Sequence, residues 1–194
     1  MQKEGDILLA NRLKILLAER DLSIKDLMNA TGLSRNSLSN MVNNPMANIA
    51  TDNIDKLCNY LEVSPKEFFD YSGWRFDFEF NSNDKEEPSL FVTMKSGKMT
   101  RNFSLFFRYD YIDPRDPNNG ATEEYSMIFA ESPNGFDKYF VDVYHQLSPL
   151  FQHQVENQLI SAAKKVFEIY DGNITPCYFN YDFNDDVIFE AKLQ

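Results

Sequence analysis

Two cysteines in 194 residues, Cys58 and Cys177, are too few and too far apart for a disulfide framework or a cysteine-based zinc site. They read as reduced thiols of a cytoplasmic protein. Long apolar runs are missing as well: no stretch reaches the ~18 consecutive apolar residues of a membrane span. The opening MQKEGDILLANRLK puts acidic side chains and an arginine where a secretory signal needs an unbroken apolar core. Basic charge is scarce, 19 Lys and Arg against 30 Asp and Glu, for a net charge of -11, which on the whole-chain average argues against a nucleic-acid partner. Also absent are a glycine-rich phosphate loop, G-x-S-x-G and H-E-x-x-H, so the chain reads as a non-enzyme with no cofactor. What remains is 43% hydrophobic and 14% aromatic, enough for packed cores and against a disordered chain.

The charge is unevenly placed. Residues 1–72 hold 8 basic and 10 acidic side chains, net -2, and residues 73–194 hold 11 and 20, net -9. Of the 28 Phe, Trp and Tyr residues, 4 precede position 73 and 24 follow it. A shift of this size, where helical spacing gives way to alternation, places a domain boundary near Tyr71-Ser72-Gly73. The two parts, 1–72 and 73–194, are therefore read separately.

In the first part, Leu9, Leu13, Leu16 and Leu17 fall on one face of a helix predicted from Asp6 to Arg20. Ser23 caps a short second helix with Leu27 and Met28 inward, and Gly32 stops it. Ser34 caps a third helix whose inner face is Leu38, Met41 and Val42, before Asn43-Asn44-Pro45 ends it. A fourth helix is capped at Thr51 with Ile54, Leu57, Cys58 and Leu61 inward. A fifth opens on the capping box Ser64-Pro65-Lys66-Glu67 and buries Phe68 and Phe69. Two short helices joined by a glycine-containing turn make a helix-turn-helix.

The runs LSIKDLMNATGLSRNSLSNMVNN and TDNIDKLCNYLEVSPKEFF resemble the Cro and lambda-repressor type of helix-turn-helix domain, the XRE family of bacterial and phage regulators, over about residues 6–70. The resemblance implies an all-α five-helix DNA-binding domain whose third helix enters the major groove. It implies that Arg35, Asn36, Ser37 and Asn40 reach base edges. Their chemistry suits that role: Arg donates twice to guanine, Asn pairs with the adenine edge, and Ser serves either. Asn36 and Asn40, four apart, share the face opposite Leu38, Met41 and Val42. Ser23 and Lys25 at the second helix's start, Ser34, and Asn43 and Asn44 at the reading helix's end are phosphate-contact candidates. Capping and turn formation would explain Ser23, Lys25, Asn43 and Asn44 without DNA. With few phosphates neutralised, affinity is expected to be modest and to rely on a homodimer spanning a two-fold symmetric double-stranded operator.

The second part reads as an α+β domain, a mainly antiparallel sheet with one long amphipathic helix. Trp74, Phe76, Phe78 and Phe80 alternate with Arg75, Asp77 and Glu79, predicting a strand over 74–80, followed by a loop over Asn81–Pro88. Further strands are predicted over Leu90–Lys95, Asn102–Tyr111 and Tyr125–Ala130, with a turn at Ser96-Gly97-Lys98 and a loop over Ile112–Thr122. Phe136–Leu147 has a weak helical preference. Ser148-Pro149 opens a helix lined by Val155, Leu159, Ala162, Ala163, Val166, Phe167 and Tyr170 and ended by Gly172. Two strands around Asn184-Asp185-Asp186 close the chain.

No metal site is predicted here. His145, His153 and Cys177 do not make a zinc pattern. The acidic loop Asp113–Glu124 puts Arg115 and Pro117 where an EF-hand needs ligands. Asp182, Asp185 and Asp186 read as turn residues. The aromatic surplus reads as core, with an aromatic-lined pocket or dimer interface as the alternative. The leading reading is a transcriptional regulator, a repressor, whose second domain dimerises or takes an effector or protein partner, with no membrane role. A second is a protein-interaction inhibitor, since an acidic aromatic domain fused to such a reader resembles in architecture some phage anti-CRISPR proteins that repress their own operon. A third is an antitoxin.

Overall fold

The computed structural model describes residues 9–81, 87–170, 176–183 and 186–193. The chain divides into two compact units, Met1–Arg75 and Phe76–Gln194.

The first unit runs β1 (Leu9–Asn11), α1 (Leu13–Glu19), α2 (Ile24–Thr31), α3 (Arg35–Asn43), α4 (Thr51–Leu61), α5 (Pro65–Phe68) and β2 (Phe69–Tyr71). Its core gathers Leu13, Leu16, Leu17, Leu27, Leu38, Met41, Leu57, Leu61 and Phe68, the inward stripes of five short helices. None of these helices is long enough to be stable alone, so mutual burial of these stripes is what holds them.

An all-α unit is corrected by the pairing of β1 with β2, antiparallel with Leu9 opposite Tyr71 and Asn11 opposite Phe69. The helix expected from Asp6 begins at Leu13; residues 6–8 lie outside the described residues, and Leu9 is 48% exposed rather than on a core face. The cause is Asn11. Its backbone N–H and its Nδ2 both donate to the Pro45 carbonyl, at 2.7 and 2.9 Å, and its Oδ1 accepts from the Leu13 N–H at 3.1 Å. An extended residue stapled this way cannot continue a helix. Two smaller corrections follow the same logic of backbone direction. Ala50, not Thr51, is the capping residue of α4, with no side-chain cap, and Phe69 leaves α5 for β2, half-buried with its ring edge-on to Phe68.

The second unit forms a six-stranded sheet in the order β3-β4-β5-β6-β7-β8: β3 (Arg75–Asn81), β4 (Ser89–Ser96), β5 (Met99–Ile112), β6 (Tyr125–Glu131), β7 (Cys177–Phe183) and β8 (Asp186–Lys192). The pairs β4–β5, β5–β6 and β7–β8 are antiparallel, while β6 and β7 run parallel. A parallel pair needs a crossover, here supplied by a one-turn 3-10 helix (Pro133–Gly135), α6 (Lys138–Tyr144) and α7 (Pro149–Ile169). The period of two fixes which face the helices cover: Leu90, Val92, Met94, Phe103, Leu105, Phe107, Ile128, Phe179 and Tyr181 are buried, and Phe151, Val155, Leu159, Ala162, Val166 and Phe167 of α7 are buried with them. Tyr170, expected on the buried stripe, instead stacks on Tyr109 at the end of α7, with ring centroids 5.2 Å apart. Gly172, Asn184 and Asp185, expected at a helix stop and a turn, lie outside the described residues. Among the described residues no helix is long and apolar enough to cross a membrane.

Candidate nucleic-acid interface

The helix-turn-helix is α2, a connection through Gly32, Leu33 and Ser34, and α3. Ser23 opens α2 through a reciprocal cap: the Asp26 N–H donates to Ser23 Oγ at 3.3 Å, while the Ser23 N–H and hydroxyl donate to Asp26 Oδ2 at 2.8 and 2.5 Å. These hydrogen bonds, with Lys25 adding a smaller attraction, hold the Asp26 carboxyl below the usual carboxylate range. α2 ends on Gly32 at φ +71°, a left-handed conformation that favours glycine, and Thr31 braces the turn by donating to the Leu27 carbonyl at 2.6 Å and accepting from the Leu33 N–H at 3.3 Å. The chain then re-enters a helix at Ser34, whose Oγ accepts from the Ser37 N–H at 3.2 Å.

With its start and end fixed, α3 presents two faces. Leu38 and Met41 are buried in the core, at 0% and 3% exposure, which turns Arg35, Asn36 and Asn40 outward as exposed side chains, with Ser37 half-buried between them. Asn36 and Asn40 stand one turn apart, ~6 Å between Cβ atoms. This spacing matches that of neighbouring base edges, and Arg35 lies in the first turn of α3, the end by which the second helix of a helix-turn-helix contacts bases in known examples.

The other residues selected for phosphate contact separate by what they already do. Lys25 is exposed in the first turn of α2. Ser23 and Ser34 are caps, and the Asp26 carboxylate at the α2 terminus takes the Ser23 donors and opposes an anion there. Asn43 is exposed and donates to Ser39 Oγ at 3.2 Å; Asn44 turns the chain, its Oδ1 accepting from the Met46 N–H at 3.1 Å. The structure thus puts Arg35, Asn36, Ser37 and Asn40 on one helix and Ser34 and Asn43 at its ends.

Sequence reasoning missed Asn11 as a positioning residue. It is 2% exposed and ties β1 to Pro45, just after α3. A polar residue between Ala10 and Arg12 carries no local signal of this; only the pairing of β1 with β2 makes it buried.

In the second unit the histidines and cysteine stand apart. His145 follows α6 and is exposed, His153 on α7 lies 3.6 Å from Glu156, and Cys177 is buried in β7, where burial pushes its thiol up. Among the described residues no three His, Cys, Asp or Glu side chains are grouped to hold a metal ion. In the acidic loop, Asp113 is engaged by Arg115 through contacts of 2.8 to 3.1 Å.

Residues 12–73 match the family model of the Cro/C1-type helix-turn-helix DNA-binding domain. No curated protein and no solved structure matches the chain.

Proposed function

We propose that the chain is a sequence-specific DNA-binding transcriptional regulator of the bacterial and phage kind, acting as a repressor through occupancy of a two-fold symmetric operator by a homodimer. The observation that carries this reading is the exposed Arg35, Asn36 and Asn40 face of α3, backed by a buried Leu38 and Met41, within a segment matching a DNA-binding family. Arg35, Asn36, Ser37 and Asn40 read bases; Lys25 and Asn43 address phosphates. Ser23, Ser34 and Asn44 act through the backbone they cap and turn. The second unit pairs subunits and receives an effector or a protein partner. No catalytic step enters.

Selection of bound sequences from a random duplex pool by the full chain tests it. The expected result is a two-fold symmetric consensus that Arg35→Ala cannot recover. A pool that stays random under selection contradicts the reading. The excess of 20 acidic over 11 basic side chains in residues 73–194 supports a second reading, an inhibitor or antitoxin whose acidic unit occupies a basic protein surface while the first unit controls its own operon. Salt-sensitive capture of a basic protein partner by the full chain would distinguish it.

A further inference from the structure

The geometry points to a small-molecule site in the second unit, at the carboxyl ends of the two parallel strands, for a ligand bearing an ammonium or guanidinium group. It rests on the effector role proposed above for this unit, and not on DNA reading. β6 and β7 run parallel, so both deliver their last residues to the same edge, where the chain leaves β6 for the Pro133–Gly135 turn. In open parallel sheets ligands lie in the crevice beyond the carboxyl ends of the strands, and this parallel pair forms such an end within a mainly antiparallel sheet. A cavity of about 310 Å3 lies there, bounded by Arg108, Phe129, Glu131, Asp137, Asp182 and Phe183. That volume suits a small ligand.

Asp137 decides the ligand's chemistry. It is 1% exposed; Oδ2 accepts from the Tyr181 hydroxyl at 2.6 Å, while Oδ1 is buried with no hydrogen-bond partner in the protein. A buried carboxylate oxygen without a donor is costly, and a donor supplied by a ligand removes that cost. Ser132 Oγ, on the same cavity wall, is likewise buried and unpartnered. Glu131 and Asp182 bring the carboxylates to three against one guanidinium, and the Arg108 Nε is already held by Asp110 at 3.2 Å. The unbalanced charge is negative. Phe129 and Phe183 add aromatic walls, a surface organic cations favour, and Arg108 already lies 4.8 Å over the Phe129 ring. These aromatic walls beside the carboxylates favour an organic cation.

Titration calorimetry of the full chain with agmatine and with putrescine, at constant ionic strength, tests the assignment. Binding is expected for at least one, weakened about tenfold or more by Asp137→Asn, which keeps the Tyr181 hydrogen bond but removes the charge. If that variant does not fold, Glu131→Gln and Asp182→Asn are each expected to weaken binding about threefold or more. Absence of heat with both amines, equal affinity in the folded variants, or a response to Ca2+ alone would overturn the site. Operator affinity measured with and without the bound amine then separates the two claims: amine binding that leaves DNA affinity unchanged keeps the site and removes the effector role.

Discussion

Asn11 donates its side-chain amide to the Pro45 carbonyl at 2.9 Å, joining a strand near the start of the described chain to the segment that follows α3. The same side chain accepts from the Leu13 N–H, so one buried residue sets both where α1 begins and where α3 is followed by its turn. Removing it leaves the buried Leu13 N–H without its acceptor, while the Pro45 carbonyl keeps the Asn11 backbone N–H. Asn11→Ala is expected to cost about 1–3 kcal/mol of stability by urea unfolding of the full chain, the cost of one buried group left unpaired. Asn11→Asp keeps the acceptor but sets a buried carboxylate oxygen against the Pro45 carbonyl, so at neutral pH a loss at least as large is expected from it.

Core and surface of α3 separate cleanly. Leu38 is 0% exposed, so Leu38→Ala is expected to destabilise the first unit by ~2–5 kcal/mol. Asn40→Ala, at an exposed position, is expected to leave stability within ~0.5 kcal/mol while costing ~1–3 kcal/mol of operator affinity. Paired unfolding and binding measurements on both variants check the contrast.

Two reciprocal caps make the first unit sensitive to acid. Hydrogen bonds from Ser23 hold Asp26, and hydrogen bonds from Ser64 hold Glu67, below the usual carboxylate range. Because these folded-state values are depressed, the stabilisation is present above the unfolded-state values and is lost as pH falls through the depressed ones. Ser23→Ala and Ser64→Ala are each expected to lower the melting temperature at neutral pH and to flatten its fall below pH ~4. Melting temperature followed against pH in the wild type and the two variants measures this.

The Asp137–Tyr181 pair carries the opposite sign. Burial raises the Asp137 carboxyl above its usual range, against the lowering effect of the Tyr181 hydroxyl. A raised carboxylate disfavours folding as pH rises from its unfolded toward its folded value. Tyr181→Phe removes the hydrogen bond, raises Asp137 further and widens that window. A loss of ~1–3 kcal/mol that grows from acidic to neutral pH is expected in unfolding titrations.

Three helices of the first unit, α2, α3 and α5, were legible because each carries its own punctuation. Ser23, Gly32, Ser34 and Ser64-Pro65 mark starts and stops by side-chain chemistry within three residues of the boundary. The stripe of Leu38, Met41 and Val42 then decides which side of α3 faces out. β1 and β2 were not legible, because three-residue strands are stabilised by partners ~60 residues away and by Asn11 reaching Pro45, neither of which leaves a local pattern. Leu9, in phase with Leu13 and Leu16 on paper, is exposed for that reason. In the second unit, alternation over Phe76, Phe78 and Phe80 and the α7 stripe predicted elements but not their order. The parallel pairing of β6 with β7 depends on the crossover through α6 and α7, and Asp137 becomes a cavity residue only once Tyr181 of β7 reaches it.

Base reading by α3 is the central claim, and operator affinity measures it directly. The site is one selected by the wild-type chain, and Arg35→Ala and Asn40→Ala are compared on it beside a scrambled duplex of equal length. The expected result is that each variant binds the selected site at least about fivefold more weakly than wild type, ~1 kcal/mol or more, while scrambled DNA is bound nearly as before by Asn40→Ala. Unchanged affinity of both folded variants for the selected site would contradict it.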